Sequence, residues 1–295
     1  MPFIKQKFHI KYPIKATLFL QQNLHLSQKD AQRIIDKGRI FINDKSFKEK
    51  AGILFGDIWI NRFRAEDLGI KPIFKTKDFV VFDKPPKLLV HPKGRFYHLS
   101  LLDSIKFYFG DNANPINRLD FETSGILLVS LNKQSEIILK KSFEKREVKK
   151  IYLALVYGKI GDCVIDLNIL EQNKKKDLGI RSIVSPNGKK AITKIEAIKY
   201  NQTHNTTLIK AYPITGRTHQ IRVHLNHIGH RIVGECLYGV DDTHTRDYLN
   251  KTFDEKKRKE IFGADRLMLH SKQIEFIYKN TRFIISSNMD FENGI

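Results

Sequence analysis

The segment NRLDFETSG, residues 117–125, places an acid, Asp120, two residues after a base, Arg118. If the segment is a strand, alternation directs Arg118 and Asp120 to one side and Leu119 to the core. The residues TSG that follow are a turn signal. A carboxylate beside a guanidinium is either an ordinary salt bridge or a group whose ionisation serves catalysis. The spacing alone leaves both interpretations open.

A second polar cluster lies farther downstream, in the segment TGRTHQIRVH, residues 215–224. It brings Arg217, His219, Arg222 and His224 to the start of a helix that the sequence predicts over residues 220–228. Helix amides and guanidinium groups can donate hydrogen bonds to the same anion. The segment therefore indicates a site for a phosphate or a carboxylate.

The sequence lacks the usual signals for cofactors and metals. It contains no GxGxxG, GxxxxGK[ST], HExxH or GxSxG, the motifs typical of dinucleotide-binding proteins, nucleoside triphosphatases, zinc proteases and serine hydrolases. Four histidines crowd residues 219–230, but no cysteine or carboxylate stands among them, and the neighbouring arginines would repel a cation. We expect no cofactor and no metal.

The charge balance indicates a polyanionic partner. The 295 residues include 52 Lys and Arg against 32 Asp and Glu, a formal net charge of +20. Such an excess attracts nucleic acid or an acidic lipid surface. Apolar runs are far shorter than the ~20 residues of a membrane-spanning helix, the amino terminus has no signal-peptide pattern, and the two cysteines form no disulfide or zinc pattern. We expect a soluble, cytoplasmic protein without a membrane partner.

Residues 1–65 predict a small domain of two helices followed by a hairpin. A short apolar helix covers residues 17–24, and a second begins at Ser27, where Ser27 and Asp30 form a capping-box pattern and Gly38 supplies the stop. Residues 39–42 and 56–60 read as strands, with a tight turn at 43–44. The second helix carries a basic stripe that consists of Lys29, Arg33 and Lys37. The stripe is either a solvated face or a contact for something negative.

Residues 72–295 predict a larger α+β domain, which a short polar linker, residues 62–72, separates from the first. Strand-like runs dominate it, at residues 79–82, 126–129, 152–157, 206–211 and 283–286, and helices are predicted at 133–146 and 220–228. The pattern indicates a mixed, mainly antiparallel sheet with flanking helices. The polar residues 241–264 read as a surface insertion with a short helix.

Several segments carry a resemblance to known families. LSQKDAQRIIDKGRIFINDK with GDIWI resembles a small RNA-binding domain shared by a small-subunit ribosomal protein and many RNA-modifying enzymes. PINRLDFETSGILLVSLN resembles the catalytic segment of the RluA/RluD-type pseudouridine synthases, usually HRLDxxTSG. The segments FDKPP with LVHP, KKIYLALVYG, ITGRTHQIRVHLNHIGHRIVGECLYG and RLMLH agree with further motifs of that family, in order. Asn117 replaces the customary histidine.

The resemblance implies an enzyme that isomerises uridine in RNA without cofactor or metal. Carried onto this chain, Asp120 is the essential carboxylate, which either attacks covalently or abstracts a ribose proton. Arg222 is the buried partner that keeps it ionised, Tyr152 stacks under the target base, and Arg118 serves the flipped-out nucleotide or braces its loop. The family positions also include Lys84, His91, Arg217 and His219, to which we assign only binding or structural roles.

The leading hypothesis is a monomeric pseudouridine synthase that acts on large-subunit (23S) ribosomal RNA. Arg118, Lys29, Arg33, Lys37, Arg217 and His219 are then the expected RNA contacts. Three alternatives remain: the same reaction on transfer RNA, a non-catalytic RNA-binding factor for ribosome assembly, and, more distantly, a glycosidase that would need Glu122 as its second acid.

Overall fold

The computed structural model describes residues 3–49, 51–63, 65–92, 100–172, 178, 180–252 and 254–291. The chain forms two compact units, residues 1–68 with 92–99 and residues 69–91 with 100–295. The change from one unit to the other at residues 68–69 falls inside the linker predicted over residues 62–72. No helix in the described part of the chain is long and apolar enough to cross a membrane.

The first unit is a four-stranded antiparallel sheet covered on one face by two helices. Its elements are β1 (Phe3–Lys15), α1 (Ala16–Leu24), α2 (Gln28–Asp36), β2 (Ile40–Ile42), β3 (Lys45–Phe47) and β4 (Ile53–Phe63). The strand order is β1-β4-β2-β3. The predicted helices and hairpin are present. The long strand β1 was not predicted, although Phe8 and Ile10 alternate in it with the exposed Lys7 and His9.

The second helix begins and ends where its capping residues predict. The Ser27 hydroxyl oxygen accepts a hydrogen bond from the Asp30 amide at 3.1 Å. The Asp30 carboxylate accepts from the Ser27 hydroxyl at 2.7 Å, whereas a full capping box would bind the Ser27 amide. Gly38 follows at a φ of 60°, and an added Cβ there would lie 2.3 Å from Ser46 Oγ.

The second unit is built on a ten-stranded mixed sheet. Its strands are β5 (Pro72–Lys75), β6 (Phe79–Lys84), β7 (Asn114–Pro115), β8 (Ser124–Ser130), β9 (Lys149–Tyr157), β10 (Cys163–Asp166), β13 (Ile192–Asn201), β14 (Thr206–Pro213), β15 (Leu269–Tyr278) and β16 (Thr281–Ser286). A separate pair comprises β11 (Ile169–Glu171) and β12 (Ser182–Val184). The helices are α3 (Leu101–Phe109), α4 (Lys133–Glu144), α5 (Gln220–His227), α6 (Asp242–Leu249) and α7 (Glu255–Phe262).

The order of the main sheet is β10-β13-β14-β9-β15-β8-β6-β5, with β16 on β15 and β7 on β8. Among the described strand pairs only β8 and β15 run parallel. The α+β fold with a mixed, mainly antiparallel sheet is therefore confirmed. Val80 and Phe82 of β6 pack with α3, whereas the residues that alternate with them, Phe79 and Val81, pack with α4. These two helices therefore cover opposite faces of the sheet.

Two segments differ from their local predictions. Residues 117–123 form a loop between β7 and β8 instead of a strand, although Leu119 is buried as expected. The segment 241–264, predicted as a surface insertion with a short helix, is mostly exposed, but its described residues form two helices, α6 and α7, and the side chains of Arg258 and Phe262 are buried. The high polarity of the segment hid an inward face that consists of an arginine and aromatic rings.

Candidate active site

The loop that carries Asp120 is fastened to the neighbouring strand β8 by a side chain. Asn117 Oδ1 accepts a hydrogen bond from the Leu128 amide at 2.9 Å, and Asn117 Nδ2 donates to the Ile126 carbonyl at 3.4 Å. These backbone groups of β8 would otherwise bond to a neighbouring strand. Asn117 therefore replaces a strand pair locally and lets the next three residues leave the sheet.

Arg222, on α5, joins the Asp120 loop to a buried carboxylate. Its Nη1 donates to Asp120 Oδ2 at 3.0 Å, while Nε and Nη2 donate to the two oxygens of Glu235 at 2.7 Å each. Glu235 also accepts from the Leu237 amide at 2.8 Å. The guanidinium carbon lies 5.4 Å from the centre of the Tyr238 ring. All three donor nitrogens are thus committed, and the guanidinium has one orientation.

The electrostatics of this group favour ionised carboxylates. Burial alone would raise the pKa of Asp120, but the charges of His219 and Arg222 and the Arg222 hydrogen bond lower it overall. Burial also acts to raise the pKa of Glu235, and Arg222 outweighs that effect in the same way. The side chain of Arg222 is 3% exposed and that of Asp120 is 30% exposed. Asp120 is therefore the member of the group that an external molecule can reach.

His219, the N-cap residue that precedes α5, lies beside the Asp120 carboxylate. A hydrogen bond of 2.7 Å joins its Nδ1 to the Tyr238 hydroxyl, which also accepts from the Ser182 amide at 2.9 Å. The other ring nitrogen, Nε2, is 3.7 Å from Asp120 Oδ1. The residue has a φ of 56°, a left-handed conformation that is uncommon outside glycine. The structure thus brings together Asp120, Arg222 and His219 from two distant segments.

Lys84, at the end of β6, fixes the far side of the Asp120 loop. The side chain is fully buried, and Nζ donates to the carbonyls of Pro85, Leu88 and Phe121 at 2.9, 2.8 and 3.2 Å. Burial lowers the pKa of Lys84 to about 7, although the charges of Asp120 and Glu122 act in the opposite direction. Three carbonyl acceptors favour the protonated amine. Lys84 therefore ties the segment after β6 to the residue that follows Asp120.

Tyr152, on β9, borders the same region. It lies opposite Ala211 of β14 and Ser271 of β15, and it packs against the cluster that contains Leu119. The pKa of Tyr152 is raised to about 12, because burial, with a smaller contribution from the charge of Asp120, outweighs the lowering effect of a hydrogen bond with Ser271. The phenol therefore stays protonated at neutral pH, within range of the carboxylate's field.

The remaining predicted residues do not contact the carboxylate. Arg118 and His91 are both exposed, and desolvation followed by the charge of Arg118 lowers the pKa of His91. Arg217 Nε donates to the Lys190 carbonyl at 3.0 Å. The stripe of Lys29, Arg33 and Lys37 is exposed along α2, in the first unit.

Several residues of the site were not predicted as such. Glu235 and Tyr238 lie in the segment GECLYG, which the resemblance included without a role for either residue. The available signal was an acid, Glu235, that follows the basic helix α5. The sequence did not indicate which basic residue would be its partner.

Glu122 is not available as a second acid. Its oxygens accept from Tyr248 at 2.6 Å, Arg258 at 2.9 Å and the Leu267 amide at 3.2 Å, and its side chain is 4% exposed. A glycosidase would need that carboxylate to face substrate or water. Among the described residues, no group of three or more His, Cys, Asp or Glu could hold a metal ion.

Comparison with known proteins gives a consistent result. Residues 78–227 match the RNA pseudouridylate synthase family. An uncharacterised RNA pseudouridine synthase of Helicobacter pylori (strain ATCC 700392 / 26695) is 45% identical over 291 residues, which cover 98% of this chain and 95% of that protein. Ribosomal large subunit pseudouridine synthase C of Buchnera aphidicola is 28% identical over 281 residues, 88% of this chain and 84% of that protein.

A solved human structure, RNA pseudouridylate synthase domain containing 1, shares the fold with a TM-score of 0.60 at 24% identity. The match covers 75% of this chain and 83% of the human one. The family match includes Asp120, Tyr152 and Arg222 and ends before Glu235.

Proposed function

The chain belongs to the RNA pseudouridylate synthase family, and we propose that it converts specific uridines of large-subunit (23S) ribosomal RNA to pseudouridine, with Asp120 as the essential carboxylate. The family membership confirms the resemblance to pseudouridine synthases and the enzyme class that the sequence predicts. The observation that carries the proposal for the site is the hydrogen bond between Asp120 and the buried guanidinium of Arg222.

The reaction exchanges two bonds at one ribose carbon. The bond from C1′ to uracil N1 breaks, the base turns while it is held, and C1′ bonds to C5. The proton on C5 leaves and N1 gains one, so the product is an isomer and no oxidant or reductant is needed. Asp120 either attacks the ribose or removes a ribose proton, and both steps require the ionised carboxylate. The charges of Arg222 and His219 supply that condition.

Tyr152 and Arg118 handle the target nucleotide in this proposal. A base in structured RNA must leave its stack, at a cost of a few kcal/mol, before C1′ can reach Asp120. The Tyr152 ring lies close enough to Asp120 to feel its charge, and it offers a surface on which the base stacks. Its protonated hydroxyl is suited to moving the proton at C5. The exposed Arg118 fills the vacated stack or binds the phosphate beside it.

The other basic residues hold the surrounding RNA. Arg217 contacts phosphate, and His219, only 3.7 Å from Asp120, contacts the nucleotide within the site. In the first unit, Lys29, Arg33 and Lys37 present charges one helical turn apart, which suits a run of phosphates. Arg33 and Arg39 lower the pKa of Lys37, after a larger effect of burial, so a polyanion would relieve their repulsion.

Large-subunit ribosomal RNA is proposed as the substrate on two grounds. The sequence of the first unit resembles a ribosomal-protein RNA-binding domain. The Buchnera relative, which matches 88% of this chain, is named as a ribosomal large subunit pseudouridine synthase. A monomeric, cytoplasmic enzyme is part of the same proposal. No membrane and no nucleotide cofactor enter it.

Mapping pseudouridines in total RNA from cells with and without this chain tests the proposal. We expect sites in 23S RNA that disappear without the protein and return with the wild-type chain but not with an Asp120→Asn variant. If only sites in transfer RNA disappeared, transfer RNA would replace 23S RNA as the proposed substrate. If no site in any RNA changed, and the purified protein released no tritium from 5-labelled uridine transcripts, the non-catalytic RNA-binding factor would be supported instead.

A further inference from the structure

The first unit has a second basic surface, on the face of its sheet opposite the helices. Residues of one parity, among them Ile40, Ile58 and Ile60, pack with Ala31 and Ile35 of α2. Residues of the other parity point away from the helices. That outer face consists of Lys5, Lys7 and His9 on β1, Phe55, Asp57 and Trp59 on β4, and Phe41 on β2.

The aromatic and basic residues of this face lie in adjacent rows. Trp59 is paired across the sheet with Lys7 on one side and Phe41 on the other. Lys5 Nζ is 5.1 Å from the Trp59 ring centre and 5.7 Å from that of Phe41, and Lys7 Nζ is 6.0 Å from Trp59. Phe55 continues the aromatic row along β4 and is 60% exposed. Phe55 is four residues from Trp59, about 13 Å along β4, and Asp57 lies between them on the same face, so the two rings offer separate stacking positions.

We propose that this outer face binds an unpaired segment of the RNA substrate, with a base on Trp59 and neighbouring phosphates on Lys5 and Lys7. Aromatic rings beside a row of cations form the usual platform for single-stranded nucleic acid. The chain's net charge of +20 favours such a polyanion over a protein surface. The inference deepens the proposed function, since it concerns how the same RNA is held.

The present partners of the two lysines can be exchanged easily. Lys5 is 3.2 Å from Asp44 and Lys7 is 2.7 Å from Asp57, but all four side chains are 46% or more exposed. Ion pairs in such positions are weak. When a base occupies the ring, the flexible lysines move from the ring and these acids to phosphate and release counterions. The acids also disfavour phosphate directly above them, which places the backbone over the β1 side of the face.

This surface differs in chemistry from the stripe on α2. Lys29, Arg33 and Lys37 lie on the helical side of the unit and include no aromatic ring, so they suit the phosphates of a folded RNA. The outer face of the sheet has rings on which separate bases stack. The first unit therefore contacts paired RNA on one side and an unpaired segment on the other.

Trp59 is the only tryptophan in the chain, so intrinsic fluorescence reports directly on this face. The full-length protein is titrated with an oligouridylate of about eight nucleotides and, as a matched control, with a blunt RNA duplex of the same length. We expect strong quenching by the single strand and little by the duplex. A variant with Lys29, Arg33 and Lys37 changed to Gln should lose affinity for the duplex, whereas saturating oligouridylate should still quench Trp59. Unchanged fluorescence while labelled oligouridylate binds, as judged by anisotropy, would overturn the inference.

Variants separate stacking from charge. Trp59→Ala should weaken oligouridylate binding roughly fivefold or more, and Trp59→Phe should largely retain affinity because a ring remains. Changing Lys5 and Lys7 to Gln should reduce the salt slope of binding by about 1.4, the value for two phosphates on a single strand. If Trp59→Ala fails to fold, the variant with Lys5 and Lys7 changed to Gln tests the inference by itself. Normal affinity in the charge variant, or equal quenching by polyglutamate, would contradict the proposed occupant.

Tritium release from 5-labelled uridine is measured separately. If no RNA were isomerised yet quenching occurred as expected, the proposed function would fail and the inference about this face would stand.

Discussion

Arg222 Nη1 lies 3.0 Å from Asp120 Oδ2, although 102 residues separate the two in the sequence. Because Glu235 takes the other two donor nitrogens, the guanidinium points one edge at Asp120 and cannot turn away. The contact joins a loop after β7 to a helix after β14. It keeps a partly exposed carboxylate ionised in a site where burial alone would favour its protonation.

Replacement of Arg222 by lysine should move the pH dependence of pseudouridine formation. An ammonium retains the charge but cannot bind Glu235 at two points and Asp120 at a third. The pKa of Asp120, now lowered, should then rise towards its ordinary value, so the acidic limb of the kcat profile shifts to higher pH. Activity at neutral pH should fall about a hundredfold because the loop loses its anchor. An exposed replacement, Arg282→Lys, is the control, and an acidic limb that did not move would contradict the role of Arg222.

Glu235→Gln should destabilise the protein in a pH-dependent way. An amide nitrogen would face an arginine donor in the buried site, so we expect the free energy of unfolding at pH 7 to fall by about 3 kcal/mol. The pKa of Glu235 is lowered in the folded chain. Its contribution is therefore complete above the ordinary glutamate pKa of 4.5 and is lost as the pH falls through the lowered value.

Urea unfolding of wild type and variant between pH 3 and pH 7 measures this effect, on a scale set by about 1.4 kcal/mol per pH unit for one proton. The difference between the two proteins should shrink towards the acidic end. A constant difference across that range would mean that Glu235 contributes packing but no charge.

Asn117 gives a test of how the catalytic loop is held. Asn117→Ala removes two hydrogen bonds to β8 and should cost about 1–2 kcal/mol of stability, with a lower kcat and unchanged RNA affinity. Asn117→Asp keeps the acceptor for the Leu128 amide and loses the donor for the Ile126 carbonyl, so it should lie between. Asn117→His restores the residue usual in the family. If the alanine variant weakened RNA binding and left kcat intact, Asn117 would be an RNA contact instead of a brace.

Tyr152→Phe separates stacking from proton transfer. The ring remains, so binding of substrate RNA should stay within about twofold, while the isomerisation rate should fall by about 10² or more if the hydroxyl moves a proton. Because the pKa of Tyr152 is raised to about 12, the wild-type rate should show no alkaline limb from this phenol between pH 7 and pH 9. Quench-flow measurement of tritium release from 5-labelled uridine under single-turnover conditions gives the rate. Equal rates for the two proteins would confine Tyr152 to stacking.

Local signals predicted the elements whose ends are set by their own residues. Helix α2 begins at the capping side chain of Ser27 and ends before Gly38, so neighbours in sequence define it completely. The family resemblance placed Asp120 and Arg222 in one site, and the structure shows how their contact is built. Strand β1 was not predicted, although its exposed basic residues Lys5, Lys7 and His9 alternate with more buried ones.

The misread segments depend on partners that are far away in the sequence. Residues 117–123 alternate like a strand, but Asn117 itself bonds to the backbone of β8, and the chain leaves the sheet there. Arg258 looks solvated in a charged run, yet its partner is Glu122, 136 residues earlier and two residues after Asp120. Glu235 could be linked to Arg222 only after α5 was placed. A sequence pattern indicates which face of a helix or strand is buried, but it does not indicate which distant charged residue that face contacts.

The most direct test of the account is the activity of Asp120→Asn on ribosomal RNA. Asparagine has the same shape and keeps an oxygen for Arg222, while Glu235 continues to hold the guanidinium, so the fold and RNA affinity should be retained. We expect tritium release from 5-labelled uridine in 23S transcripts to fall by at least about 10³-fold. A folded variant that isomerised uridine at the wild-type rate would contradict the central claim that an ionised Asp120 performs the reaction.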